Sequence, residues 1–430
     1  MIRYSRRTPG GNGNIASFIR LWWLLVHSFH TTKFLVKQAF ESHRRYNYRM
    51  QPRGNTETVV ITGGTRGIGA ELVKKLLQCN MHVIIGCRDP ASGRNVLSKI
   101  RQRGITTGTA EILTLDLTSL NSVREFAYKI LSKNIPINTL INNAGVMDDC
   151  YGVTVEDMEH HFQINYLAHF LLTNLLLQRM HESGAPGKHS RVVNVSSIAH
   201  YGAYIDLSDP LMNRFYSSHK AYMDSKFCQV VFSNFLNSLL QYNSANVRSY
   251  AVHPGFAKTE RWKDSEWIKR LGVLQRLLFK VKRALIKNLS KIQCPTLSPE
   301  LEESGGAFIS NCEVVEPLAT TEDAMLQRRL WNTSCGYVDL LSSCVDLIGG
   351  PSRDDVETNN WNSTGNRKTS KCIESYCLRP YYEYLIVKLF TLFNAKKRGW
   401  LQYIEVWSIL LLQKLDRLNS QFKVLNVYES

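Results

Sequence analysis

Apolar residues along the middle of the chain come in two alternating textures. Short β-branched or apolar runs at 58–62, 82–87, 110–115, 139–141, 191–195 and 247–252 read as buried strands. The longer stretches at 70–78, about 90–102, 119–133, 156–178 and around Tyr222 to about residue 240 read as helices. Strand and helix alternate throughout, which predicts an α/β doubly wound parallel sheet of the Rossmann type. In such a sheet the ligand lies beyond the carboxyl ends of the strands. Polar residues gather there: Asp116 after the third run, Asn142 to Gly145 after the fourth, Ser196 and Ser197 after the fifth, His253 to Gly255 after the sixth.

The flanks differ in texture. Residues 1–13 are basic and glycine-rich, and 15–29 (IASFIRLWWLLVHSF) form an apolar run broken by Arg20 and His27. A spanning helix needs about 20 apolar residues, and this run is shorter; it still reads as a membrane anchor, with an interfacial helix, a targeting sequence or an amphipathic soluble helix as the alternatives. Residues 40–56 are polar, and Pro52 and Gly54 mark a linker. The predicted organisation is therefore a basic arm with a candidate anchor at 1–56, an α/β domain at 57–345 and an unassigned tail at 346–430.

Charge sharpens that picture. The net charge of +17 is concentrated in residues 1–56 and 261–296, while 57–260 is nearly balanced. Basic residues mixed with Trp and Leu suit a membrane surface better than a nucleic acid, and no nucleic-acid motif accompanies them. The ten cysteines include no C-x-x-C pair. The sequence thus predicts no metal site, and reduced thiols with Cys87 and Cys228 in the core.

Two motifs carry chemistry. Thr62-Gly63-Gly64-Thr65-Arg66-Gly67-Ile68-Gly69 lies between a strand and a helix, where glycines let backbone N–H groups approach a pyrophosphate. The second predicted strand ends in Gly86, Cys87 and Arg88 rather than in a carboxylate for a ribose 2′-OH. Arg66 and Arg88 could clamp a 2′-phosphate, or be solvated surface residues; the first reading favours NADP(H) over NAD(H). Asp116 at the end of the third strand can meet adenine. The second motif is Tyr222-x-x-x-Lys226, a phenol and an ammonium on one helix face. A nearby cation favours the phenolate, so this pair can move a proton on or off an alcohol oxygen.

Together the glycine loop, Asn142-Asn143-Ala144-Gly145, Asn165, Ser197, Tyr222-x-x-x-Lys226 and Pro254-Gly255 resemble the short-chain dehydrogenase/reductases across about residues 57–260, more loosely to about 340. INNAGVM, NYLAHFLLTNLLL, SSIAHYG and the run 327–335 are similar to its retinol dehydrogenase branch. The resemblance implies Tyr222 as acid/base, Lys226 on the cofactor ribose, Ser197 on the reacting oxygen and Asn165 ordering a relay water. Asn142, Ala144 and Gly145 would line the cofactor pocket, with Asp116 and Leu117 at adenine, Thr259 at the nicotinamide carboxamide, and Pro254 and Gly255 also binding the cofactor. Two alternatives stay open: Ser196 in place of Ser197, and Asn165 as a local hydrogen-bonding residue. His219 and His253 read as packing histidines.

The resemblance further implies a hydrophobic substrate (retinoid, polyprenoid or steroid-like), a membrane surface as partner, and a homodimer formed through the helices carrying Asn165 and Tyr222. It places the chain at the endoplasmic reticulum with its catalytic domain facing the cytosol. Residues 281–296 (VKRALIKNLSKIQCPT) depart from the family: either 284–292 form a substitute helix, or the segment is foreign to the domain. Likeness resumes at Leu297. The function expected is hydride transfer between NADP(H) and a hydrophobic alcohol, aldehyde or ketone. The alternative is a catalytically weak cofactor-binding or scaffold protein of the same fold.

Overall fold

The computed structural model describes residues 3–4, 57–148, 150–213, 216–254, 301–310 and 312–340. The chain divides into two units, Met1–Gly350 and Pro351–Ser430, and the second lies outside the described residues. So do the candidate anchor at 15–29, the atypical segment at 281–296 and the tail.

Eight strands form one sheet. β1 (Thr58–Thr62) leads through α1 (Gly67–Gln78) to β2 (His82–Cys87), then through α2 (Pro90–Gln102) to β3 (Thr109–Thr114). After α3 (Leu120–Leu131) the chain crosses back to β4 (Thr139–Asn142) on the other side of β1. α4 (Ala168–Ser183), β5 (Ser190–Val195), α5 (Ser218–Tyr242) and β6 (Val247–His253) follow. β7 (Phe308–Ser310) extends the parallel sheet and β8 (Glu313–Val315) closes its edge antiparallel. The order is β3-β2-β1-β4-β5-β6-β7-β8. The strand order reverses between β1 and β4, and a crevice for a ligand opens at such a point.

The central strands carry β-branched and aliphatic residues on both faces because helices cover both. Val59, Ile61, Val83 and Ile85 face Leu72, Val73, Leu76 and Leu77 of α1 in one buried layer; Val60, Ile84, Leu140 and Val192 face α3, α4 and α5 in the other. α6 (Ala324–Tyr337) lies on α5, with Trp331 among Phe170, Phe232 and Phe235 at centroid distances of 5.0, 6.1 and 5.5 Å. Tyr166 and Ser334 share a hydrogen bond of 2.7 Å beneath it.

The predicted helix at 156–178 is corrected. Helix begins only near His160, runs through a π-turn at Phe162–Leu167, and continues as α4 to Ser183. Asp157 has φ of 55°, a left-handed conformation that interrupts helix, and Glu156 is drawn off to accept from the amide of Leu120 at 2.6 Å. π-turns leave backbone carbonyls displaced and recur at functional sites; this one contains Asn165.

Candidate active site

β1 ends at Thr62 and the chain turns at once. Gly63 has φ of 68°, and a Cβ on it would lie 2.9 Å from the Cα of Ala144. Glycine is therefore required for the loops after β1 and β4 to touch. Thr62 Oγ1 accepts from the amides of Asn143 (3.0 Å) and Ala144 (2.9 Å), and Asn143 Nδ2 donates to the carbonyls of Thr62 (2.9 Å) and Gly63 (3.2 Å). Gly69 sits so close to the Gly63 carbonyl and to Asn143 Nδ2 that a side chain would displace both. Gly64 is buried, Thr65 and Ile68 are half-buried, and Gly67 opens α1. The loop is held from behind, with the N-terminus of α1 at its end.

Arg66 and Arg88 are both exposed. They follow neighbouring parallel strands in which Thr62 pairs with Gly86, and neither forms an ion pair with any described residue. Asp89, the nearest carboxylate, caps α2 instead, accepting from Ala91 N (2.9 Å), Ser92 N (3.1 Å) and the Ser92 hydroxyl (2.5 Å). Those bonds, the Ser92 hydroxyl first, hold its carboxyl below the usual range. After β3, Asp116 Oδ1 accepts from Thr118 N (3.0 Å) and Thr118 Oγ1 (2.8 Å), beside a buried Leu117.

Asn142 is wholly buried, its amide donating to Thr173 Oγ1 (2.9 Å) and Asn194 Oδ1 (2.8 Å). It ties β4 to α4 and β5. Ala144 is half-buried and Gly145 buried; a Cβ on Gly145 would come within 2.9 Å of Asn165 Oδ1 and 3.4 Å of Lys226 Nζ. The Asn165 carboxamide bridges two elements. Its Oδ1 accepts from Val146 N (2.6 Å), and its Nδ2 donates to Val146 O (3.0 Å) and Ser225 Oγ (2.9 Å).

Lys226 is buried, its ammonium donating to Val195 O (2.8 Å) and Gln229 Oε1 (3.0 Å) and lying 6.0 Å from the Tyr222 ring centroid. Tyr222 is half-buried, with the His161 ring edge-on at 6.4 Å. Ser196 is buried and donates to Lys226 O at 2.7 Å. Ser197 is half-buried and its Oγ accepts from Ala199 N at 3.1 Å. Pro254 follows β6, half-buried; Gly255 and Thr259 lie outside the described residues.

Pattern reading missed several residues around this site. His161 is buried: its Nε2 accepts from Asp148 N (2.9 Å), so Nδ1–H donates to Glu159 (2.8 Å), whose other oxygen accepts from Phe162 N (2.8 Å). His200 is buried behind Ser197, donating from Nδ1 to the Ser197 carbonyl (2.7 Å) and accepting at Nε2 from Leu318 N (3.3 Å). His169 lies one turn beyond Asn165. Burial pushes the pKa of His169 and of His200 down to about 4. The only sequence signal was proximity: each stands within four residues of a quoted motif residue.

A short chain dehydrogenase family model matches residues 57–268. The chain belongs to the short-chain dehydrogenase/reductase family, in its retinol dehydrogenase-like branch, and is an oxidoreductase with a nicotinamide cofactor. Human polyprenol dehydrogenase is 39% identical over 284 residues, 66% of this chain and 85% of that protein. Human retinol dehydrogenase 11 is 36% identical over 292 residues, 67% of this chain and 87% of that protein. Among solved structures, an uncharacterized protein from Mycobacterium Paratuberculosis matches with a TM-score of 0.53 at 29% identity, covering 67% of this chain and 96% of that one. Among the described residues no helix is long and apolar enough to cross a membrane.

Proposed function

We propose that this chain transfers a hydride between NADP(H) and a hydrophobic alcohol or carbonyl compound, of polyprenoid or retinoid type in the first instance. The observation that carries the reading is the seating of Lys226 near Tyr222. A buried ammonium donates to Val195 and Gln229 beside a half-buried phenol, at the carboxyl ends of the strands.

A bound nicotinamide supplies or takes the hydride. Tyr222 gives its proton to the carbonyl oxygen in reduction and removes it from the hydroxyl in oxidation. Lys226 lowers the cost of the phenolate. Ser197, whose oxygen already accepts from Ala199 N, donates its own proton to the reacting oxygen; Ser196 donates to Lys226 O, which favours Ser197 for that role. Asn165 orders a relay water through its backbone carbonyl, which the His169 ring holds from Nδ1. The glycine loop suits a pyrophosphate because Gly63 and Gly69 let it turn tightly against Asn143 and Ala144, just ahead of the N-terminus of α1.

NADP(H) is preferred in this reading because neither Arg66 nor Arg88 forms an ion pair among the described residues, while Asp89 is engaged as a helix cap. The substrate class rests on the two named relatives. Membrane association at the endoplasmic reticulum rests on the sequence at 15–29 and 261–296. The homodimer through α4 and α5 rests on the family resemblance alone.

The test is a hydride-transfer assay of the purified full chain with NADPH and NADH against a panel of lipid alcohols and aldehydes, polyprenols and retinoids included. NADPH-dependent turnover of at least one long-chain substrate is expected. Tight NADPH binding without turnover of any member would favour the scaffold alternative.

A further inference from the structure

His169 is wholly buried and makes two hydrogen bonds that fix its tautomer. Nδ1 lies 3.1 Å from the carbonyl of Asn165, which can only accept, so Nδ1 carries the proton. Nε2 is then an acceptor, and the Thr62 hydroxyl, 2.9 Å away, donates to it. Thr62 Oγ1 in turn accepts from Asn143 N and Ala144 N. One ring thus joins the π-turn that presents Asn165 to the loops meeting at the strand-order reversal.

The environment keeps the ring neutral. Burial opposes its charge, the nearby Lys226 ammonium adds to that, and the Asn165 carbonyl offsets only part of it. A protonated ring would also set Nε2–H against a hydroxyl that must turn away from its present partner. The structural alternative is a histidine that merely fills space between α4 and β1. Volume alone does not explain two directed bonds to the two parts of the site.

We propose that His169 is a positioning residue with separable arms: Nδ1–H holds the Asn165 carbonyl in catalytic register, and Nε2 holds Thr62 and the cofactor loops. The proposal rests on the reading of Asn165 and the glycine loop given above.

Asparagine and glutamine separate the arms, because an asparagine amide reaches about as far as Nδ1 and a glutamine amide about as far as Nε2. His169→Asn keeps a donor for Asn165 and loses the Thr62 acceptor. His169→Gln keeps an acceptor for Thr62 and loses the Asn165 donor. The full chain is titrated with NADPH by fluorescence, and turnover is measured with NADPH and all-trans-retinal. In His169→Gln the fall in kcat should exceed the rise in NADPH Kd by at least tenfold. In His169→Asn the ranking should reverse, with Kd the more affected. Thr62→Val removes the Nε2 partner together with the acceptor for Asn143 N and Ala144 N, so it should raise the NADPH Kd at least as far as His169→Asn, and adding His169→Asn to it should change little further. Parallel changes in both quantities in every variant, or no change, would overturn the proposal. Absence of wild-type turnover would count against the enzymatic reading instead, and the Kd ranking, with Asn and Thr62→Val weaker than Gln, would still decide the loop arm.

Discussion

Lys226 and Val195 are joined by a hydrogen bond of 2.8 Å from the ammonium to the carbonyl, and Ser196 returns one from its hydroxyl to the Lys226 carbonyl at 2.7 Å. These two bonds lock one turn of α5 onto the end of β5. Ser197 is the next residue along and Tyr222 is one helical turn back, so their relative placement is set by the backbone.

If that placement serves proton transfer, Tyr222→Phe should remove it without disturbing the frame. Neither bond involves the phenol oxygen, and the glycine loop stands on Thr62 and Asn143. General acid–base catalysis is worth about 10²–10⁴-fold. Turnover should therefore fall at least a hundredfold while the NADPH Kd stays within about threefold. Steady-state kinetics with a fluorescence titration check this; turnover within a few-fold of wild type would remove Tyr222 from the mechanism.

The two arginines give a separate expectation. Each phosphate contact made by a guanidinium is charge-assisted and stronger than a neutral hydrogen bond. Replacing Arg66 and Arg88 together by Gln should cut the ratio of NADPH to NADH affinity by about tenfold or more, leaving NADH binding little changed. Equal affinities for the two cofactors in the unaltered protein would show that neither residue reads the 2′-position.

Acid should destabilise the fold through its buried histidines. His169 and His200 titrate near 4 when folded, against 6.5 when exposed, chiefly because burial disfavours the charged ring. Between those values the unfolded chain binds more protons, so stability is full above about pH 6.5 and falls as pH drops toward 4. Each histidine accounts for roughly 3 kcal/mol over that window. Asp224 works the other way. Its carboxyl is raised to about 6 from 3.8 by burial, against the pull of Lys220, so it gains stability as pH falls from 6 toward 3.8. Two histidines against one aspartate leave a net loss of about 3 kcal/mol. Urea unfolding from pH 7.5 to 4.5 should show it, and His200→Gln should flatten the slope. A slope unchanged by that substitution would mean His200 is not held neutral.

Much of this arrangement was legible in the sequence, and the reasons are local. Thr58–Thr62 and His82–Cys87 are apolar runs buried on both faces, and Gly63, Gly64, Gly67 and Gly69 lead from the first of them straight into a helix. The helix at 156–178 was misread because Glu156, Asp157 and Glu159 fit a helical surface by composition. In the structure the Glu156 carboxylate accepts from Leu120 N and Gln163 Nε2, Glu159 pairs with His161, and Asp157 takes a left-handed backbone conformation. β7 and β8 have three residues each, too few for an alternation to register. The histidine braces were invisible for a different reason. Thr62 and His169 are 107 residues apart, and Leu318 and His200 are 118 apart. Pattern marks which residues are apolar, and these bonds depend on where the sheet carries them.

The last expectation concerns α6, which lies beyond the atypical segment. Its chain returns to the sheet through Leu301, whose carbonyl accepts from Tyr250 at 2.7 Å, and through Glu302, which pairs with Arg191 at 2.6 Å. Asp323 then caps α6 by accepting from Met325 N and Leu326 N. Trp331 is nearly wholly buried among Phe170, Phe232 and Phe235, and Arg124 donates to Val338 O at 2.5 Å just past the helix. Residues 327–335 resemble the family, and their burial against α4 and α5 makes α6 part of the domain whatever the origin of 281–296. Trp331→Ala should therefore cost about 3–5 kcal/mol, the usual range for emptying a large aromatic site in a core. Trp331→Phe should cost clearly less, because a ring still fills most of the space. Both are measured by urea unfolding at pH 7.5, where the histidines do not contribute. A cost below about 1 kcal/mol for Trp331→Ala, with a single unfolding transition retained, would show that the cooperative unit does not include α6.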